Sequence, residues 1–365
     1  MPARSAAAKV PKAYEEDVRK KVRPAPATSS EHFVSLDHAE PSPIMLSAQK
    51  VWRSIVALVK VSLVLGVLGA YPAAVVLSSA IDDTPIVFPN SQPWTVPGVG
   101  VANYMIAREI AGTGIAADRP VWHPQARLTA LPAWQEATFS GLSEYVKTLS
   151  EMTGTANGPD NDLAAAANLL TPVPGEAVRT RVATAAEALN TFDTRASRGL
   201  ALRPLPEQTL PMEFALFAAW ASEDRAALSD RIHAEQDAWP ASREDIAAFY
   251  AAKARAHLAH ELIVAGKARA FGITADTELA LQLARAEAGW KRAAELKPIF
   301  VSNQSGSEAF LPNHLATMAY YLVEAEEASA ELAVRLAPPP PRVEDVAAAT
   351  TTETASPVVA ETAIP

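Results

Sequence analysis

The chain has 365 residues, contains no cysteine and carries a formal net charge of -9 at pH 7. The missing thiols exclude disulfides, thiolate metal sites and a cysteine nucleophile. Charge is split unevenly: residues 1–60 hold 10 Lys and Arg against 6 Asp and Glu, and the remainder holds 22 against 35. Such an acidic remainder would repel nucleic acid and anionic lipid at long range, so nucleic acid is not an expected partner.

Residues 1–50 mix Ala, Pro, Ser and charge without an apolar period, including Pro24, Pro26, Pro41 and Pro43. They read as a disordered cytoplasmic tail, with Arg19, Lys20, Lys21 and Arg23 as a solvated basic cluster. Residues 51–81 follow as a transmembrane helix. Its centre, residues 61–81 (VSLVLGVLGAYPAAVVLSSAI), has no charge; Lys50, Arg53 and Lys60 precede it, and Asp82 and Asp83 close it. A bilayer core needs roughly 20 apolar residues at the helical rise. The run starts too deep in the chain and is too long for the apolar core of a cleaved signal peptide. The next positive charge is Arg108, so the positive-inside rule places the N-terminus in the cytoplasm and the bulk of the chain beyond the membrane. Gly66, Ala70 and Ala74 recur every fourth residue, a small-residue row through which two copies could associate as a homo-oligomer.

Residues 82–97, rich in proline, read as an extended connector that spaces the bilayer from a helical domain at 98–337. In that domain Val101, Met105 and Ile110 suggest a short helix. Residues 132–152 give the clearest one, with Phe139, Leu142, Val146 and Leu149 in one stripe. Further helices are expected at 162–170, 176–194, 211–234, 243–270, 274–296 and 312–336. Ser242 and Asp245 form a capping box at the start of the helix at 243–270, whose stripe of Phe249, Ala252, Ala256, Ala259 and Ile263 implies close helix approach. Residues 338–365 open on four prolines and read as a disordered tail. No stretch alternates with period two. The expected fold class is therefore all-α: one N-terminal transmembrane helix, then an extracytoplasmic helical bundle of six to eight helices.

Chemistry-bearing residues gather in two irregular stretches. Trp122 and His123 lie in a Pro-rich loop before the strongest helix, with Glu109 and Asp118 upstream; Asn303, Asn313 and His314 lie in the loop before the last helix. A carboxylate and an imidazole on a loop held by a rigid scaffold could form a site. His257, His260 and Glu261 lack the i, i+4 histidine pair of helical zinc motifs and read as a surface face beside Lys253. Phosphate-binding loops, nucleophile elbows and calcium loops are missing, so no catalytic, metal or cofactor residues are assigned.

The ordering of a short tail, one span, a Trp122-centred loop leading into Leu131 and Pro132, and later the stretches at 276–283 and 303–312 resembles the bacterial domain-of-unknown-function family 2333, over the region from about Trp52 to Leu336. The resemblance implies a bacterial inner-membrane protein facing the periplasm and supplies no catalytic residues. The expected function is a membrane-anchored periplasmic scaffold or interaction protein of the cell envelope, with the lipid bilayer and envelope proteins as partners. The alternative is a periplasmic hydrolase or metal-dependent enzyme using His123 with Glu109 or Asp118, or using His257 and His260.

Overall fold

The computed structural model describes residues 43–78, 80–87, 94–156, 158–173, 175–234, 241–267, 277–304 and 312–337, and within 43–78 it describes the side chains of 47–48 and 50–66. The basic cluster at 19–23, Thr274 and the tail from 338 lie outside the described residues. Among the described residues the chain is all-helical, with nine α-helices: α1 (Pro43–Ser78), α2 (Pro97–Ala111), α3 (Ala130–Met152), α4 (Asn161–Leu170), α5 (Val178–Ser197), α6 (Pro206–Ala234), α7 (Arg243–Lys267), α8 (Thr277–Ala294) and α9 (His314–Leu336). Two 3₁₀ turns, Ala116–Asp118 and Pro124–Arg127, punctuate the loop between α2 and α3.

The chain divides into two units, Met1–Val64 and Leu65–Pro365. In the first, the described part of α1 exposes Val51, Trp52, Ile55, Leu58, Val59, Val61, Leu63 and Val64. At 100° per residue these positions are distributed around most of the helix rather than along one stripe. Among the described residues no helix is long and apolar enough to cross a membrane. The side chains at 67–79, which make up most of the uncharged run, lie outside those residues.

In the second unit the helices pair antiparallel. Asp160 N donates to Ser150 O while Ser143 Oγ donates to Ala167 O, which sets α3 against α4. Asn103 Nδ2 donates to Ala186 O, and Val96 N to Asp193, which sets α2 against α5. Arg292–Glu324, Arg285–Glu327 and Arg335–Glu278 run down the α8–α9 seam in opposite order. Helices α6 and α8 share an aromatic centre in which Phe217 lies 5.6 Å from Trp220 and 6.4 Å from Trp290, ring to ring, and Trp290 Nε1 donates to Ser329 Oγ of α9.

Small residues set the tightest crossings. A Cβ added at Gly289 of α8 would stand 3.1 Å from backbone atoms of Ala325 on α9. Ala252, Ala256 and Ala259 of α7 are fully buried, as the alanine stripe implied. The capping box also forms: Asp245 N donates to Ser242 Oγ at 3.1 Å, and Ser242 N donates to Asp245 Oδ2 at 3.2 Å. Helix α6 begins one turn before the expected start at Pro211. The proline sits near the N-terminus, where its missing N–H and fixed φ disturb few helical bonds.

Candidate functional site

Residues 81–87 leave the uncharged run and lie against the helical domain. Ile81 packs on Trp134 and Ala137 of α3 and Ala254 of α7. Asp83 then accepts from Lys253 Nζ at 2.7 Å, and its other oxygen meets Lys297 Nζ at 2.7 Å. Arg108 Nη1 donates to Thr84 O at 2.7 Å, and Ile86 N donates to Glu261 Oε2 at 3.1 Å. Four residues of this short extended segment, Ile81, Asp83, Thr84 and Ile86, are thus fastened to the domain.

Helix α7 supplies most of this receptor surface. Lys253, His257 and Glu261 fall at i, i+4 and i+8, one helical face, and all three are buried. The solvated face expected for them does not exist, because the connector and α2 cover it. Arg108 Nη2 lies 2.9 Å from His257 Nε2. A guanidinium has only donors, so Nε2 accepts, which leaves the ring proton on Nδ1 facing Glu261 Oε1 at 4.0 Å. Burial, reinforced by the Arg108 charge, pushes the His257 pKa down to about 4. Burial pushes the Asp83 carboxyl up, but its hydrogen bonds from Lys253 and Lys297 and their charges outweigh this and hold it below its ordinary value. The Glu261 carboxyl is also lowered: burial opposes this, and the histidines and the Ile86 N–H prevail.

Glu109 stands behind this row on α2. It is buried and accepts from Trp134 Nε1 and Gln135 Nε2, each at 2.9 Å. Gln135 extends the network by donating to Gly114 O and accepting from Ala116 N, which fixes the root of the α2–α3 loop.

The other sequence-predicted residues separate into fasteners. Asp118 accepts from Val178 N at 2.8 Å and Arg179 N at 2.7 Å, so it caps α5, whose own Ala177 has no capping side chain. Asp193 holds the entry to α2, accepting from Thr95 N and Val96 N just before the helix. A carboxylate far away in sequence thus steadies the start of each helix, in α5 as a true cap. His123 Nδ1 accepts from Gln125 N and caps a 3₁₀ turn, while Trp122 is 73% exposed. In the second loop, buried Asn303 donates to Arg231 O and accepts from Asn313 Nδ2, and Asn313 caps α9 through Ala316 N. Burial lowers the His314 pKa. The described partners of the first loop are on α3 and α5, those of the second on α6 and α9, so the two are anchored to different elements. Among the described residues no three His, Asp or Glu side chains converge as metal ligands.

Gly66, in the proposed helix-association row, has nothing within 4 Å of an added Cβ; the side chains of Ala70 and Ala74 lie outside the described residues. Sequence reasoning missed Asp83, Thr84, Ile86, Arg108 and Lys297. The one sequence signal was the Lys253, His257 and Glu261 row at i, i+4 and i+8 on α7. Compared with protein-family models, curated proteins and solved structures, the chain finds no match in any of the three.

Proposed function

We propose that this protein is a membrane-anchored helical scaffold or interaction protein of the bacterial cell envelope, with α1 in the inner membrane and the helical domain in the periplasm. The observation that carries this reading is the exposure of apolar side chains over most of the circumference of α1 between Val51 and Leu65, with Arg53 and Lys60 together on the remaining side. A surface helix in water hides its apolar stripe and shows polar residues elsewhere. A helix apolar over most of its surface suits lipid, where backbone groups are satisfied internally and side chains need no polar partner. The uncharged run at 61–81 and the basic residues before it support the same reading.

The clipped connector supports a scaffold role for the domain. Instead of a loose tether, 81–87 is fastened at Ile81, Asp83, Thr84 and Ile86, so a load on the anchor would pass directly to α2, α3 and α7. Buried, hydrogen-bonded charges of this kind are costly to assemble, and they fix one arrangement of the chain when satisfied.

The test is fractionation of cells expressing the full chain. The protein should pellet with membranes, resist alkaline carbonate and dissolve only in detergent, and protease added to spheroplasts should digest the domain. Release by carbonate, or protection of the domain in intact spheroplasts, would overturn the reading.

A further inference from the structure

Helix α9 has two ordered sides. One is buried against α6 and α8. The opposite side carries Ala316, Tyr320, Val323, Glu327, Ala330 and Val334, all exposed. The steps along it are 4, 3, 4, 3 and 4 residues, the spacing of a coiled-coil seam. Tyr320 leans towards Tyr321 of its own helix, 6.0 Å ring to ring, and is still 69% exposed, and Val334 is 77% exposed. The outward side of a bundle helix ordinarily carries its charge. Here five of the six outward positions are apolar, and Glu324 and Glu326 stand to either side of them.

We propose that this seam is a self-association surface, on which a second copy of the chain lays its own α9 antiparallel about a two-fold axis level with Ala325. The surface belongs to the helical domain and does not rest on the membrane-anchored reading. Three observations select a second copy as the occupant. First, the seam is complementary to itself in reverse. Pairing centred on Ala325 sets Ala316 against Val334, Tyr320 against Ala330 and Val323 against Glu327, so at the outer levels a small side chain meets a large one and the two rows interdigitate. A parallel pairing would instead set Tyr320 on Tyr320 and Glu327 on Glu327. Second, the charges match in the same register. From α8, Arg292 binds Glu324 and Arg285 binds Glu327, and from α6 Arg225 binds Glu326; the three arginine side chains are 44–45% exposed. The acidic ridge of α9 therefore runs between arginines. Reversal about Ala325 brings Arg292 to within about one residue of the level of the second copy's Glu327, and Arg285 to that of its Glu324, so each contact is made twice, as an isologous interface requires. Third, the size suits a reversible pair. The seam from Ala316 to Val334 is about 27 Å long, and with the near edges of α6 and α8, whose axes lie about 9 Å to either side, it offers roughly 500 Å² per copy, the range of weak and transient interfaces.

The test uses the full chain in detergent with micelles in excess. The chain has no cysteine, so Val334→Cys gives one nitroxide label per copy without further change. The antiparallel register expects the two labels about 27 Å apart along the helix axis, read as a dipolar distance at micromolar concentration that disappears on dilution. Labels about 10 Å apart, the spacing of a parallel pair, would overturn the proposal. A second pair of variants tests the charge match. Val323 is 37% exposed, and Glu and Lys have similar helix propensity, so Val323→Glu and Val323→Lys both keep the fold and differ in the sign of the charge set against the second copy's Glu327. Sedimentation equilibrium should give a dimer about tenfold weaker for Val323→Glu than for Val323→Lys, two like-charge contacts replacing two opposite-charge ones. Equal constants for the two variants would assign the association to another surface, the Gly66 side of α1 included, and overturn the proposal. A parent chain that stays monomeric at every concentration reached would overturn it as well, leaving the anchor reading untouched.

Discussion

Asp83 and Lys253 are 170 positions apart in sequence and 2.7 Å apart in the fold. Both side chains are largely removed from water, and between them they hold the start of the connector against α7. Replacing Asp83 by Asn removes the counter-charge and leaves Lys253 buried without one. The expected cost is about 3 kcal/mol, read as a lower urea midpoint at unchanged slope. Lys297→Ala, which removes the exposed partner of the same carboxylate, should cost under about 1 kcal/mol. The double variant Asp83→Leu with Lys253→Met should recover much of the loss, because an apolar pair avoids the desolvation of both charges.

Acid should act on two buried groups in opposite directions. Burial raises the Asp224 carboxyl from 3.8 to about 6, in spite of Arg255 at 3.0 Å. A raised folded-state pKa means that its stabilising contribution is complete below pH 3.8 and is lost as pH rises through about 6. His257 is lowered from 6.5 to about 4, so its contribution is present above pH 6.5 and is lost as pH falls through about 4. Each shift corresponds to roughly 3 kcal/mol, and the two nearly cancel between pH 7 and 4. Asp224→Asn should therefore steepen the loss of stability on acidification relative to the parent, and His257→Gln should flatten it. Parallel melting curves for parent and both variants across that range would contradict the assignment.

Gly289 faces backbone, not a flexible side chain, across the α8–α9 crossing. Gly289→Ala places a methyl 3.1 Å from Ala325 N and Cα, so a helix must move. The expected cost is about 1–3 kcal/mol, outweighing the roughly 1 kcal/mol that alanine gains over glycine in helix propensity. A melting temperature at or above the parent's would show that the two helices yield freely.

Glu109 and Trp122 were grouped together by sequence and should behave differently. Glu109→Leu strands Trp134 Nε1 and removes one acceptor from Gln135, at a cost of about 2–4 kcal/mol for buried groups bonded to a charge. Trp122→Ala changes an exposed side chain and should stay within about 0.5 kcal/mol. Thermal melts of the two variants test the contrast directly.

The sequence by itself determined the helical class, the approximate position of every helix after the first, the Ser242–Asp245 capping box and the alanine-lined face of α7. These are local properties: apolar period, cap chemistry and proline or glycine punctuation act within a few residues. It also singled out Glu109, Asp118, His123, Asn303 and Asn313 as polar residues with work to do. Only the tertiary structure decided that the work is fastening. Asp118 caps a helix sixty residues later, Glu109 satisfies an indole across a helix pair, and Lys253, His257 and Glu261 form a buried receptor rather than a solvated face. Side-chain spacing reveals which residues share a face of α7, but what covers that face depends on contacts between residues 149 to 175 positions apart. Periodicity carries no information at that range, so the place of the connector is a property of the packed helices around it.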